Sequence, residues 1–163
     1  MLYLNKHSRN LNSTEVHKLD LQTSPRYWIK KIITLQSNIF HTEQGIPEDD
    51  VAEFLARDPI CWCAELDGEI IGTAIAWETD GIMHWGRFVV LPSLRGQKIG
   101  PKLARYSFED LFAQGVEEIH MTARDTTVKI VCDMGGEITG EPQPFYAGNV
   151  TPVVLKKENF LKS

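Results

Sequence analysis

The sequence predicts one α/β domain over residues 1–163, of the α+β kind, in which a central mixed, mostly antiparallel sheet carries helices on both faces. Three observations predict it. A length of 163 residues with 42% hydrophobic content suits one sizeable core. Three strand-like runs, "CWCAEL", "EIIGTAIAWE" and "IMHWGRFVVL", follow one another with Asp67-Gly68 and Thr79-Asp80-Gly81 at their joints, which reads as a meander. Beyond them the pattern changes to helix, strand, helix and two strands, so both element types must share one core.

Taken in order, residues 26–40 place Trp28, Ile32, Leu35 and Ile39 at helical spacing behind Ser24-Pro25, a cap with proline in the first turn. A turn at Gly45-Ile46-Pro47 leads to "EDDVAEFLARD", whose early acids favour a helix N-terminus and whose Val51, Phe54 and Leu55 form an apolar stripe. The three strands come next. "GPKLARYSFEDLFAQG" then predicts a helix with Leu103, Tyr106 and Leu111 on a broad apolar face and Gly115 as its stop. "EEIHMTA" predicts a strand and "TTVKIVCDMGG" a short helix closed by glycine. "GEIT" and "NVTPVVLKK" predict two last strands around a loop rich in proline and glycine.

Composition narrows the function classes. A net charge of −5 argues against a nucleic-acid partner, whose footprint is a basic face. No apolar run approaches the roughly 18 residues of a membrane helix, and the start lacks a signal core, so no membrane partner and a cytoplasmic location are expected. Cys61, Cys63 and Cys132 match neither a disulfide framework nor a zinc pattern, so buried free thiols and no metal are expected.

One local stretch stands out against the acidic chain. "LPSLRGQKIGPKL", residues 91–103, runs from a strand end through a turn into a helix start, where unpaired N–H groups and the helix dipole favour an anion. Arg95, Lys98, Lys102 and Arg105 concentrate positive charge there. The pattern reads as a phosphate cradle made from backbone; a plain capped helix with solvated cations is the alternative.

The run "RFVVLPSLRGQKIGPKL", from Arg87 to Leu103, resembles the acetyl-CoA-binding segment of the GNAT acyltransferase superfamily. Arg95, Ile99 and Gly100 match its turn, Gly96 and Gln97 lie within it, and Lys98 replaces the middle glycine. The resemblance implies the GNAT acyl-CoA N-acyltransferase fold, with acetyl-CoA as acyl-donor co-substrate. Lys98 must then avoid positive φ or accept strain, and offers a cation to the CoA phosphates. Pro101 suits a first helical position while removing one donor. The resemblance also implies that backbone groups of Val89, Val90 and Leu91 pair with the pantetheine arm, with the Val90 N–H facing the thioester oxygen as an oxyanion donor.

The family's acid, a tyrosine four residues before a glycine, has no counterpart: counting back from Gly135 reaches Val131 and from Gly136 reaches Cys132. Cys132 and Tyr146 are the candidate proton donors to the leaving thiolate, with packing as the alternative for each. Where the family often carries a carboxylate base, this chain has Gly86, and alternation puts His84 on the same face, as a base acting through water. Glu78 and His120 are further candidates. "NIFHTEQGIPEDD" resembles the EQGIP segment of a GNAT subset that borders the acceptor pocket, which assigns Glu43 and Gln44 to substrate binding, Glu43 for a cationic amine, with acids 48–50 steering it.

These residues point to acetyl transfer to the primary amine of a small molecule or peptide, by direct attack in a ternary complex. Two alternatives remain: a catalytically degenerate acetyl-CoA-binding regulatory module, and an N-acyltransferase using longer acyl-CoA or acyl carrier protein donors. A homodimer through the terminal hairpin's edge is a further expectation.

Overall fold

The structure is a computed structural model that describes residues 13–21, 23–45 and 59–162. The helix expected in "EDDVAEFLARD", with acids 48–50, lies outside the described residues. The described elements are β1 (Glu15–Leu19), α1 (Arg26–Ser37), β2 (Ile60–Leu66), β3 (Glu69–Thr79), β4 (Ile82–Val90), α2 (Ile99–Ala113), β5 (Glu118–Ala123), α3 (Asp125–Asp133), β6 (Glu137–Ile138), β7 (Gln143–Pro144), β8 (Asn149–Lys156) and α4 (Lys157–Lys162).

The meander forms as the two Asp-Gly pairs dictate. Asp67 and Gly68 have φ of 52° and 79°, and Asp80 and Gly81 repeat those values, the positive pair that a two-residue hairpin turn requires. The sheet order is β1-β2-β3-β4-β5-β8-β6, with β7 on β8. Every pairing is antiparallel except β4 with β5. That one parallel pair decides the architecture. It is held only at Met83↔Ile119 and His84↔His120, after which β4 stays with β3 and β5 stays with β8, so the two strands part.

Two cores lie on opposite faces. Under α2 and α3, the Trp85 ring packs tilted against Phe108 at 4.8 Å between centroids and donates its indole N–H to Ser107 at 2.9 Å. On the other face Ile32, Leu35, Ile39 and Phe40 of the α1 segment cover Cys61, Cys63, Ile75 and Val89. Burial pushes both thiols there up to about 12, with Cys63 adding to the effect on Cys61 and Glu65 to that on Cys63, so they stay protonated. All three cysteines are free; Cys61 and Cys63 are buried as expected, whereas Cys132 is only half-buried.

Four features depart from the sequence expectation. β1 is an edge strand paired only with β2, and "EVHKL" carries too many polar side chains to announce it. The first helix widens at Asn38–Glu43 into a π-helical turn, with the Gln44 N–H reaching back to Ile39 O at 3.1 Å. β7 adds a two-residue bridge, and α4 is pinned by Phe160 against Phe108 and Phe112.

Candidate active site in the parting of two parallel strands

The gap between β4 and β5 opens because β4 is irregular where it leaves β5. Thr73 pairs with Val89 but Ile75 with Gly86, so β4 carries one extra residue, and Arg87 takes φ +46° to accommodate it. Buried Gln36 donates to Thr73 Oγ1 at 3.0 Å, and that oxygen lies 3.5 Å from the Arg87 carbonyl, which supports the bulge from beneath. The bulge ends at a regular ladder. The Leu91 N–H donates to Ile71 O at 2.8 Å, and Val89 lies opposite Thr73. Alternation along an antiparallel pair therefore turns the Val90 N–H and C=O away from β3, toward the gap.

This corrects part of the expectation for the three-residue strand end. Val90 presents backbone to the gap, whereas the amides of Val89 and Leu91 are turned to β3 by the same ladder. Arg95 then holds Val90 on that same side, its Nε donating to the Val90 carbonyl at 3.1 Å.

The turn into α2 also differs from the sequence picture. Lys98 does not avoid the left-handed region: it caps the helix at φ +67°, two residues after Gly96 at φ +78°. A lysine in that conformation costs roughly 1 kcal/mol against glycine. Pro101 is the third helical residue, not the first, but still within the turn whose N–H groups lack helical partners. No side chain caps α2, and no acid occupies its first turn. Gly100 suits a tight contact, since a Cβ there would come within 3.2 Å of the Phe88 ring, which would have to give way.

Three of the four cations expected on phosphate are committed elsewhere. Arg95 gives both Nη atoms to the Glu43 carboxylate at 2.6 and 3.1 Å, the Lys102 ammonium bonds the Thr14 carbonyl, and Arg105 lies over the Phe160 ring. Lys98 remains exposed beside the turn.

The gap widens into a cleft of about 500 Å³. His84 lines it, stacked on Trp77 at 5.7 Å, and the Trp77 ring occupies the space that a side chain at Gly86 would need. His120 lies 6.4 Å from His84 and bonds Glu118 at 3.2 Å. Cys132 and Tyr146, the two candidate acids, do not line the cleft. Cys132 sits half-buried on α3 with its thiol pushed up by burial and by Asp133, and Tyr146 is exposed against the edge of Phe145. Glu78 is likewise outside it.

The fold as a whole is shared with known proteins. The model of the Acetyltransferase (GNAT) family matches residues 23–130. The chain belongs to the GNAT acetyltransferase family. Solved structures carry the same fold: Escherichia coli ElaA, at TM-score 0.77 and 18% identity, covers 86% of this chain and 98% of its own. An acyl-CoA N-acyltransferase from Pseudomonas aeruginosa, at TM-score 0.76 and 17% identity, covers 87% and 99%. A putative N-acetyltransferase from Lactobacillus plantarum, at TM-score 0.73 and 18% identity, covers 88% and 97%. A sequence search of curated proteins finds no match.

Within this GNAT fold the expected acceptor residues are placed unequally. Glu43, expected to hold a cationic amine, has both oxygens taken by Arg95, so it serves as one half of a clasp between the π-helical turn and the end of β4. Gln44 does line the cleft, and its side-chain oxygen accepts from Arg124 Nε at 3.2 Å. Arg124, which sequence reasoning missed, follows β5 directly and also donates Nη1 to the Phe145 carbonyl at 2.8 Å. No local pattern could have found it, because its partners lie 80 and 21 residues away.

Among the described residues, one group offers metal-ligand spacing: Glu15, His17 and Glu65 on β1 and β2. His17 Nε2 meets Glu65 at 2.9 Å and Glu15 at 3.5 Å, and none of the three lines the cleft.

Proposed function

We propose that this chain is an acyl-CoA-dependent N-acyltransferase that moves an acetyl group from acetyl-CoA to a primary amine by direct attack in a ternary complex. The observation that carries the reading is the parting of β4 from β5 with the Val90 N–H turned into it, at the head of an uncapped helix. Acyl transfer from a thioester develops negative charge on the carbonyl oxygen, and a fixed backbone donor stabilises that charge without reorganising. Holding the two reactants in one cleft supplies the rest of the advantage.

The turn amides from Gly96 to Gly100, with Lys98, form the cradle for the cofactor's phosphates. In this reading His84 receives the proton that an ammonium must lose before attack; its ring lies 6.4 Å from that of His120, which bonds Glu118. Cys132 is no part of the reaction in this reading, since it lies off the cleft; Cys132→Ala should change kcat/KM by less than about threefold.

Release of free thiol from acetyl-CoA in the presence of an amine panel tests the reading. Turnover of any amine, with His84→Phe losing activity, supports it; acetyl-CoA that neither binds nor reacts sinks it. The regulatory alternative is favoured by the absence of Cys132 and Tyr146 from the cleft, and would give acetyl-CoA binding with every amine inert. Preference for a long-chain donor would move the assignment to the longer-acyl alternative.

A further inference from the structure

Four titratable groups line the cleft among the described residues, and all four are bases: His84, Arg87, His120 and Arg124. Among the described residues no carboxylate joins them, although acidic residues outnumber basic ones in the chain by 22 to 17. The described lining thus opposes the sign of the whole protein. A polyamine or other multiply cationic acceptor would meet repulsion from these groups.

Arg124 concentrates this imbalance. Its Nε goes to the amide oxygen of Gln44, its Nη1 to the carbonyl of Phe145, and the Phe145 ring lies 5.3 Å from its guanidinium carbon. Its Nη2 is buried and has no hydrogen-bond partner. Every hydrogen-bonded partner among the described residues is neutral; the charge of Asp125, next in the chain, acts on the guanidinium without an ion-pair contact among the described residues. A guanidinium stays charged, and a partly desolvated charge with a donor left unbonded and no carboxylate in contact is costly.

The side of the sheet matters as much as the charge. Ile119, Met121 and Ala123 belong to the core under α2 and α3, so alternation turns His120, Thr122 and the extended Arg124 to the α1 face. The contact with Gln44, just past α1's π-helical turn, agrees. Arg124 therefore stands on the α1 face of the sheet, opposite the face that α2 covers, on the side left for the acceptor.

We propose that the acceptor is a small amine carrying a carboxylate, an amino acid or a close relative, and that Arg124 receives that carboxylate. The inference rests on the acyltransferase reading and narrows its substrate class. A planar guanidinium presents paired donors that suit a carboxylate, and Gln44 and Phe145 hold its plane in place.

The test compares free α- and ω-amino acids with their carboxamides, and with spermidine and ethanolamine phosphate, as acceptors for acetyl-CoA. The expected result is an amino acid turned over with kcat/KM about 10- to 100-fold above its amide. Arg124→Gln should erase that preference, and Arg124→Lys should retain part of it. The acid-to-amide ratio in the unaltered protein stands even if a variant fails to fold. Amides or spermidine accepted as well as the acids would overturn the proposal while leaving the acyltransferase reading intact, and so would a preference for ethanolamine phosphate. If acetyl-CoA reacts with nothing, the acyltransferase reading fails separately. Calorimetry with the same acids and amides, without donor, then decides the site: acids binding the unaltered protein but not Arg124→Gln support it, and no discrimination overturns it.

Discussion

The turns after β4 and after β5 each place an arginine against the end of the π-helical turn, and adjacent residues there receive them. Arg95 meets Glu43, while Arg124 meets Gln44. The first pair is a two-pronged ion pair in which each charge meets its opposite, and Arg95 also holds the Val90 carbonyl. The second joins a guanidinium to an amide and leaves positive charge in the cleft. One carboxylate placed a residue earlier makes the difference between a clasp and a receptor. Similar geometry thus serves scaffold at one strand end and recognition at the other.

The change expected to have the largest effect erases that difference. Gln44→Glu supplies Arg124 with the missing counter-charge, so turnover of carboxylate-bearing acceptors should fall by about 10- to 100-fold, as steady-state kinetics would read. Unchanged turnover would mean that Arg124 does not meet the acceptor.

Lys98→Gly separates strain from function at the α2 turn. Relief of the left-handed lysine should raise unfolding stability by roughly 1 kcal/mol in urea titration, while acetyl-CoA affinity falls with the lost cation. Loss of stability would show that the Lys98 side chain holds the turn together.

A carboxylate on the opposite face supplies a pH control. Burial alone would raise the Asp110 pKa, but hydrogen bonds from Trp62, Gln114 and Lys18, with the Lys18 charge, hold it below the usual carboxylate value. A depressed folded-state pKa gives stability that is present above the unfolded value and lost as pH falls through the folded one. Asp110→Asn should therefore flatten the acid side of the stability curve, below about pH 4, and leave acceptor preference untouched.

The smallest effect belongs to the clasp. Both side chains are about two-fifths exposed, so a double-mutant cycle between Glu43→Gln and Arg95→Gln should return a coupling of no more than about 1 kcal/mol. A much larger coupling would mean that the pair also fixes the gap-facing backbone at Val90.

The same contrast explains what the sequence discloses. β2, β3 and β4 were legible because Asp67-Gly68 and Asp80-Gly81 have local chemistry that permits one kind of turn. The α2 turn was legible in outline, since Gly100 answers a close contact with Phe88 and the helix start follows a strand end. The β4 bulge was hidden because its positive φ falls on an arginine rather than a glycine. The π-helical turn was hidden because Ile39 and Phe40 fit the apolar stripe of an ordinary helix equally well. Within the site, His84 and Gln44 could be placed by alternation and by resemblance. The fates of Glu43 and Arg124 could not, because each depends on a partner many residues away.

The most direct measurement is the amide ¹⁵N–¹H spectrum of the protein titrated with acetyl-CoA. The account predicts that the Val90 amide and those from Gly96 to Gly100 move most, while Val89 and Leu91, paired to β3, move less. Acetyl-CoA that leaves Val90 and the turn amides in place would contradict the assignment of the parted strands as the acyl-transfer site.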